Sequence, residues 1–391
     1  MQYRPVRKEE YPAVQNCLTI AFNYQISPED REQWKAEDFT GHKMWRGAFL
    51  EDGTLISLVG LNEMEMYFDG RLYPMGGIGG VCTLPPYRRN GDIRRLFHLI
   101  CEEMKDKGIP FSYLYPFSHP YYRQYGYELV ANQQRVEAPS ADLKAYRGMG
   151  TARQYMPGDD LTSFMEIEKA YLPRMNGMVH RSEEALAKVL GKESAYSGDR
   201  AFLILDDDGV PAAFIAYKVE KDTMEIKEME WRSDAAIPYL MSFLSNYEGN
   251  LKIIRFRCPP ELNPLIWWPE PYNLTITAEQ RGMLRILLAE PVLRGMRKPE
   301  GKGEICLSLL DEFCPWNIGT YLISWDNGMS DVSRTDRPAD LTCDIRALNQ
   351  LTFGTYSWEQ LRRRPDIAVH RETPLLAALF PQKSVQIQVF F

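Results

Sequence analysis

Apolar residues recur at Val14, Leu18 and Ala21, behind the charged run Arg7-Lys8-Glu9-Glu10, and this spacing predicts an amphipathic helix. Ser27 followed by Pro28 has the form of an N-cap and a first helical residue, so a second helix is expected over residues 29–34. Residues 44–50 and 55–66 read as strands around the turn Glu51-Asp52-Gly53, and Asp69-Gly70 turns the chain into a short strand at 71–73. The run Gly76-Gly77-Ile78-Gly79-Gly80 leads into Val81-Cys82-Thr83 and, after Pro85-Pro86, into a basic loop. A long helix over 93–107 closed by Gly108, a strand over 111–115, a tyrosine-rich loop and a strand over 128–137 complete this unit.

The same grammar returns. A helix over 161–170 precedes strands at 201–205, 211–219 and 224–231, a helix over 235–247 and a strand over 253–257, with Asp206-Asp207-Asp208-Gly209 as the first turn. This order of helix, hairpin, strand, helix and strand reads as a diverged internal duplication. A third segment carries an amphipathic stretch at 291–296, strands at 303–310 and 319–325, helical pieces at 343–351 and 356–363, and a helix at 374–379. It closes on residues 384–391, where Val385, Ile387, Val389 and Phe391 alternate with Ser384, Gln386, Gln388 and Phe390, a strand signal. The pattern divides the chain into three α/β (α+β) domains over residues 1–137, 138–282 and 283–391.

Composition narrows the function classes. The length of 391 residues exceeds a single ordinary core, and 45% hydrophobic with 25% charged residues is the balance of a folded globular protein. A formal charge of −7 lacks the basic footprint of nucleic-acid binding and weakly favours cationic substrates. Seven scattered cysteines with no CxxC pair argue against a disulfide framework or a zinc site and for buried thiols in a reducing compartment. The N-terminus has no apolar signal region and no run approaches a membrane span, so a cytoplasmic protein without membrane contact is expected. The five histidines show no metal-ligand spacing, so no metal is expected; His98 and Cys101, three residues apart, read as helix packing.

The most specific motif is Val81-Cys82-Thr83-Leu84-Pro85-Pro86-Tyr87-Arg88-Arg89-Asn90-Gly91-Asp92-Ile93-Arg94. A strand ends, a basic loop with one glycine follows, and a helix starts at once, which aims backbone N–H groups and their partial positive charge at a phosphate. Gly91 admits close backbone approach, and Arg88, Arg89 and Arg94 can pair with phosphate oxygens. This loop resembles the Arg/Gln-x-x-Gly-x-Gly/Ala hallmark of the GNAT superfamily of N-acetyltransferases, with Ile93 standing where the pattern has Gly or Ala and Asp92 adding an acid beside the expected phosphates. Downstream, Tyr122-Arg123-Gln124-Tyr125-Gly126-Tyr127 resembles the Tyr-x-x-Phe/Tyr-Gly-Tyr signature of the Eis (enhanced intracellular survival) family. That family joins a GNAT domain, a degenerate second GNAT domain and a sterol-carrier-like domain, the three-part organisation read above.

The resemblance implies an acetyl-coenzyme A-dependent N-acetyltransferase, an acyltransferase acting on amino groups of a cationic acceptor such as an aminoglycoside, a polyamine or a lysine. It implies that acetyl-coenzyme A meets Val81, Cys82, Thr83, Arg88, Arg89, Asn90, Gly91, Asp92, Ile93, Arg94 and Ser118, that the glycine run permits a bulge beside the thioester, and that Tyr122 is the general acid. Tyr121 is the nearest competitor for that role. It further implies that the α-carboxylate of Phe391 is the base, that Tyr24, Trp34 and Phe390 line a wide acceptor pocket with acidic character, and that the chain forms a homo-oligomer, a hexamer. Tyr24 and Phe390 stand where an acid would serve an aminoglycoside better, which argues against potent activity on that class. The second unit has no Arg-x-x-Gly loop between residues 231 and 235, so no second cofactor site is expected there. The competing reading is a non-catalytic acyl-coenzyme A or lipid-binding protein built around the third domain, and release of free coenzyme A in the presence of amines discriminates the two.

Overall fold

The structure, a computed structural model, describes residues 1–23, 25, 27–28, 43–191 and 198–388. The helix expected over 29–34 lies outside them. Its strands are β1 (Gln2–Pro5), β2 (Lys43–Phe49), β3 (Leu55–Phe68), β4 (Arg71–Thr83), β5 (Phe111–Leu114), β6 (Glu128–Pro139), β7 (Thr151–Gln154), β8 (Asp199–Leu205), β9 (Pro211–Glu220), β10 (Thr223–Trp231), β11 (Ile253–Cys258), β12 (Thr275–Ile286), β13 (Lys302–Leu310), β14 (Gly319–Asp326), β15 (Met329–Arg334), β16 (Leu341–Asp344) and β17 (Ile367–Val369). Among the described residues the first twelve form one sheet in the order β1-β2-β3-β4-β5-β12-β6-β11-β10-β9-β8-β7, and the last five form a second sheet in the order β15-β14-β13-β16-β17.

The order exposes the duplication. β4 pairs parallel with β5, and β10 pairs parallel with β11, each next to an antiparallel meander. Two strands are exchanged across the middle: β6, from the first unit, pairs with β11 of the second, while β12, from the end of the second, sits between β5 and β6. Backbone pairing therefore runs without interruption from one unit into the other. The periodicity missed β12 because Thr275–Arg281 carries a single large apolar residue, Ile276, and its strand conformation comes from pairing along β6, with β5 joining only from Met283.

The helix Asp92–Asp106 buries Ile93, Leu96, Phe97, Ile100, Cys101 and Met104, a stripe at helical spacing, and packs it against the first meander with Val59, Leu61 and Ile78. All seven cysteines are free and buried. Two expectations change. Residues 341–344 are a strand, β16, held between β13 and β17, and the helix expected from 343 begins at Ile345, where Asp344 caps it by accepting from the Arg346 N–H. The strand expected over 384–391 is not a ladder in its described part: Val385 makes a single parallel bridge to Asn176. The alternation is still real, because Val385 and Ile387 are buried while the Gln388 side chain bonds both backbone groups of Val179. The glycine at 177 opens this path, since a Cβ there would stand 2.9 Å from Ile387.

The inner face of the second sheet is filled by Ile305, Leu307, Tyr321, Ile323, Trp325 and Leu341, which join a core shared with Met66, Phe68 and Phe111 of the first unit. One ion pair fixes this junction. Arg285 of β12 and Asp311 are both fully buried, with Arg285 Nη2 donating to both carboxylate oxygens at 2.8 and 2.7 Å. Arg285 Nη1 also donates to the Tyr125 carbonyl, and a Cβ on Gly126 would run into the guanidinium. Asn317 and the Cys314 N–H donate to Asp311 as well. Removing one partner leaves a buried charge without compensation, so Asp311→Ala should cost about 3–5 kcal/mol of stability in urea unfolding, and the double replacement Arg285→Met with Asp311→Leu should cost less. A double replacement that costs as much as the single one would show that the pair is not what holds the junction.

Candidate active site

β4 is bent where the glycines lie. Leu58 faces Cys82 and Gly60 faces Gly79, so Val59 opposes two residues of β4, a bulge with Gly80 at φ +58°. Only Gly fits there: a Cβ on Gly80 would meet the Trp45 ring at 2.6 Å. Pairing of β4 with β5 ends at Ile78 opposite Leu114. Beyond that point the two strands part, and residues 79–83 leave peptide groups beside the gap.

At the wide end of the gap the chain folds into the phosphate-loop geometry. Gly91 adopts φ +82° as the residue before the helix Asp92–Asp106, and nothing lies within 4 Å of a Cβ built on it. Its backbone conformation, rather than crowding, is what calls for glycine. The first helical N–H groups have no partner within the helix and face the loop. A cavity of about 690 Å³ collects Val81, Cys82, Thr83, Arg88, Arg89, Asn90, Gly91, Asp92, Ile93 and Arg94, together with Ala21, Phe22, Tyr87, Phe117, Tyr121, Gln124 and Tyr125. The expected cofactor residues thus converge on one space, with the exception of Ser118, which precedes the short helix His119–Arg123 without lining it. The aromatic wall, Tyr87, Phe117 and Tyr125, was not singled out from the sequence as cofactor contact; Phe117, 71% exposed beside this cavity, is its clearest structural signal.

Two residues behave differently from expectation. Asp92 does not project toward the loop: it is buried and accepts from Tyr3 Oη at 2.6 Å, and Tyr3 in turn accepts from Arg95. Ile93, at the position where the superfamily pattern has Gly or Ala, turns its side chain into the core beside Leu96 and Phe97. Arg94 lies 5.2 Å from the Phe313 ring centroid, and His98 stacks on the same ring at 3.9 Å, a packing role like that of Cys101.

Tyr122 is 3% exposed, packed against Phe97, Phe117, Tyr121 and Tyr127 just behind the cavity wall. Burial raises its phenol above the usual range, as it does for Tyr125, so both are neutral at physiological pH. Cys82 lies 3.4 Å from Cys17, sulfur to sulfur, and the hydrogen bond with Cys17 together with burial pushes the Cys82 thiol up. Tyr24, Trp34, Phe390 and Phe391 lie outside the described residues.

The second unit keeps the parted strands but not the charge. β10 and β11 pair only from Thr223 to Glu225, and the following helix, Ile237–Ser245, is preceded by Asp234, whose carboxylate binds Arg174 and accepts from Trp231 Nε1. An acid at the place of the phosphate loop disfavours a phosphate. A second cavity, of about 240 Å³, lies in this gap between Ile226–Trp231 and Cys258, and is closed by Tyr115, Arg281 and the tail residues Gln386–Gln388.

Models of an acetyltransferase (GNAT) domain match residues 2–130 and 177–286, and a sterol carrier protein domain matches residues 288–388. The chain carries two GNAT acetyltransferase domains followed by a sterol carrier protein domain. A Streptomyces avermitilis protein described as an uncharacterized N-acetyltransferase is 20% identical over 372 residues, 90% of each chain. An Enterococcus faecalis structure described as a probable N-acyltransferase superposes with a TM-score of 0.84 at 25% identity, covering 98% of this chain and 97% of that one. Eis1 from Mycobacterium abscessus shares the fold with a TM-score of 0.82 at 17% identity over the full length of both. The chain is an acyltransferase enzyme, and its GNAT fold implies acetyl-coenzyme A as co-substrate. Among the described residues no helix is long and apolar enough to cross a membrane.

Arg88, Arg89 and Arg94 line the cavity beside Gly91, where the family resemblance expects the cofactor phosphates. Arg89→Glu puts like charge against them and should weaken acetyl-coenzyme A binding roughly tenfold or more in calorimetric titration. Unchanged affinity would remove the loop from the binding site.

Proposed function

We propose that the chain transfers the acetyl group of acetyl-coenzyme A directly to an amine, in the parted end of β4 and β5. The carrying observation is the convergence of the bulged strand, the glycine at 91 and Arg88, Arg89 and Arg94 on one cavity. In the proposed step the neutral amine nitrogen bonds to the thioester carbon, the carbon–sulfur bond breaks, the amine loses a proton, and the departing thiolate takes one. Backbone N–H groups on the edge of β4 beyond Ile78, where β5 has parted and the bulge leaves Gly80 and Val81 outside the register with β3, stabilise the developing oxyanion.

Direct attack is favoured over an acetyl-enzyme by the state of Cys82. It is the one cysteine lining the cavity among the described residues, and its thiol is buried, tied to Cys17 and held protonated, whereas acyl capture needs a thiolate. For the proton that goes to sulfur we propose Tyr122. Burial keeps its phenol in the acid form, and its ring touches Phe117 and Tyr121 of the cavity wall. Tyr121 lines the cavity itself but is the residue that bonds Tyr125, which gives it a structural task.

Free thiol release from acetyl-coenzyme A, measured with a panel of amines and with mass analysis of the acylated product, tests the reaction; release that does not depend on an amine would contradict it. Tyr122→Phe should lower kcat about 100- to 10,000-fold while acetyl-coenzyme A still binds. Because the phenol is raised above its ordinary pKa of about 10, the acid form persists through the neutral and mildly alkaline range, and this group should impose no loss of rate below about pH 10. Full turnover in Tyr122→Phe together with a collapse in Tyr121→Phe would transfer the role to Tyr121.

A further inference from the structure

The second cavity carries mainly basic groups on its wall. Its wall carries one carboxylate, Glu228, against Lys227, Arg257 and Arg281. Glu228 is already engaged: it faces the buried Arg181 at 3.3 Å. Lys227 is paired with Asp199 at 2.7 Å. Arg257 uses its Nε on Glu279 at 2.8 Å, while Arg281 stands 3.7 Å from that same carboxylate, too far for a hydrogen bond, with its guanidinium 6.0 Å from the Tyr115 ring centroid. Arg135 stands 3.8 Å from Glu279 as well, and 3.9 Å from Glu137, so among the described residues Glu279 is the one carboxylate that Arg257 and Arg281 share and it is further divided with Arg135. Fork-shaped donors remain available toward the cavity, the geometry that carboxylates fit in pairs of hydrogen bonds.

The cavity also offers places for an amine. Tyr115, Tyr171 and Trp231 present aromatic surface, and the side-chain oxygen of Gln386 is buried there without a hydrogen-bond partner among the described residues. Its position ties it to the acetyl site: Tyr115 is the first residue beyond the paired part of β5, at the point where β5 leaves β4.

Resting on the acetyltransferase reading above, we infer that the acceptor is an amine that also carries a carboxylate, of the amino-acid or short-peptide class, and that Arg281 with Arg257 holds that carboxylate. The cavity, about 240 Å³, has the scale of such a molecule rather than of a large oligosaccharide. The exchanged strand β12 supplies Arg281 and the second unit supplies Arg257, so the degenerate half of the duplication has become the acceptor side of the first half's reaction.

The test uses the full chain with coenzyme A bound and two probes, lysine and cadaverine, which is lysine without its carboxylate. Calorimetry should show lysine binding about 10- to 100-fold more tightly, the usual worth of a charge-assisted pair of hydrogen bonds. Arg281→Gln, and separately Arg257→Gln, should bring that ratio toward one while acetyl-coenzyme A affinity is retained. Equal binding of the two probes, or no binding of either, overturns the inference. A ratio that survives both substitutions overturns the assignment of the arginines. Turnover is read separately: acetylation of both probes with equal binding leaves the acetyltransferase reading standing without this inference, whereas no amine-dependent thiol release with any acceptor strikes the reading itself.

Discussion

Arg285 is buried at 0% exposure in the middle of the molecule, and the rest of the structure is arranged around its charge. A guanidinium in such a place needs a compensating charge, and here Asp311 from the third segment takes Nη2 and the Tyr125 carbonyl from the tyrosine loop takes Nη1, while Nε is left without a partner among the described residues. The residue itself comes from β12, the strand that the second unit lends to the first. Three parts of the chain far apart in sequence are thereby held to one point. Gly126 is drawn into the same constraint, since its left-handed backbone at φ +80° and its missing side chain make room for the guanidinium. Asn349 completes the joint by donating to the Gly126 and Leu284 carbonyls. The Tyr-Gly-Tyr part of the family signature is thus a docking surface for Arg285 as much as a source of phenols.

Duplication followed by strand exchange explains how two similar units came to differ in chemistry. Both keep a parallel pair that parts toward one end, at β4–β5 and at β10–β11. In the first unit the gap leads to a helix N-terminus dressed with arginines, and in the second to one dressed with Asp234. The charged groups at that junction therefore differ in sign between the two units, with Asp234 of the second paired to Arg174. Exchange of β6 and β12 then makes one sheet of the two, so the second gap opens beside Tyr115 of the first unit. The third segment contributes the tail that closes this opening, with Gln133 donating to the Ile387 carbonyl.

Much of this is readable in the residues themselves. The stripe from Ile93 to Met104 reads as the buried side of a helix, and the glycine run beside Val81-Cys82-Thr83 permits the bulge that the strand makes. What escaped the sequence depends on distant partners. Thr275–Arg281 carries only Ile276 as a large apolar residue and becomes a strand because it pairs along β6. Asp92 sits in a basic loop, yet its carboxylate turns inward because Tyr3, 89 positions earlier, lies beneath it. The second cavity draws on Tyr115, Tyr171, Glu228, Arg257, Arg281 and Gln386, and no local pattern joins them.

The central claim is that one of the two acetyltransferase units holds the cofactor and the other has given up that role. Titration of acetyl-coenzyme A into the full chain by calorimetry addresses it most directly. The account predicts one equivalent bound per chain, and none after Arg88, Arg89 and Arg94 are neutralised together. Two equivalents per chain, or one equivalent still bound after that triple replacement, would contradict it.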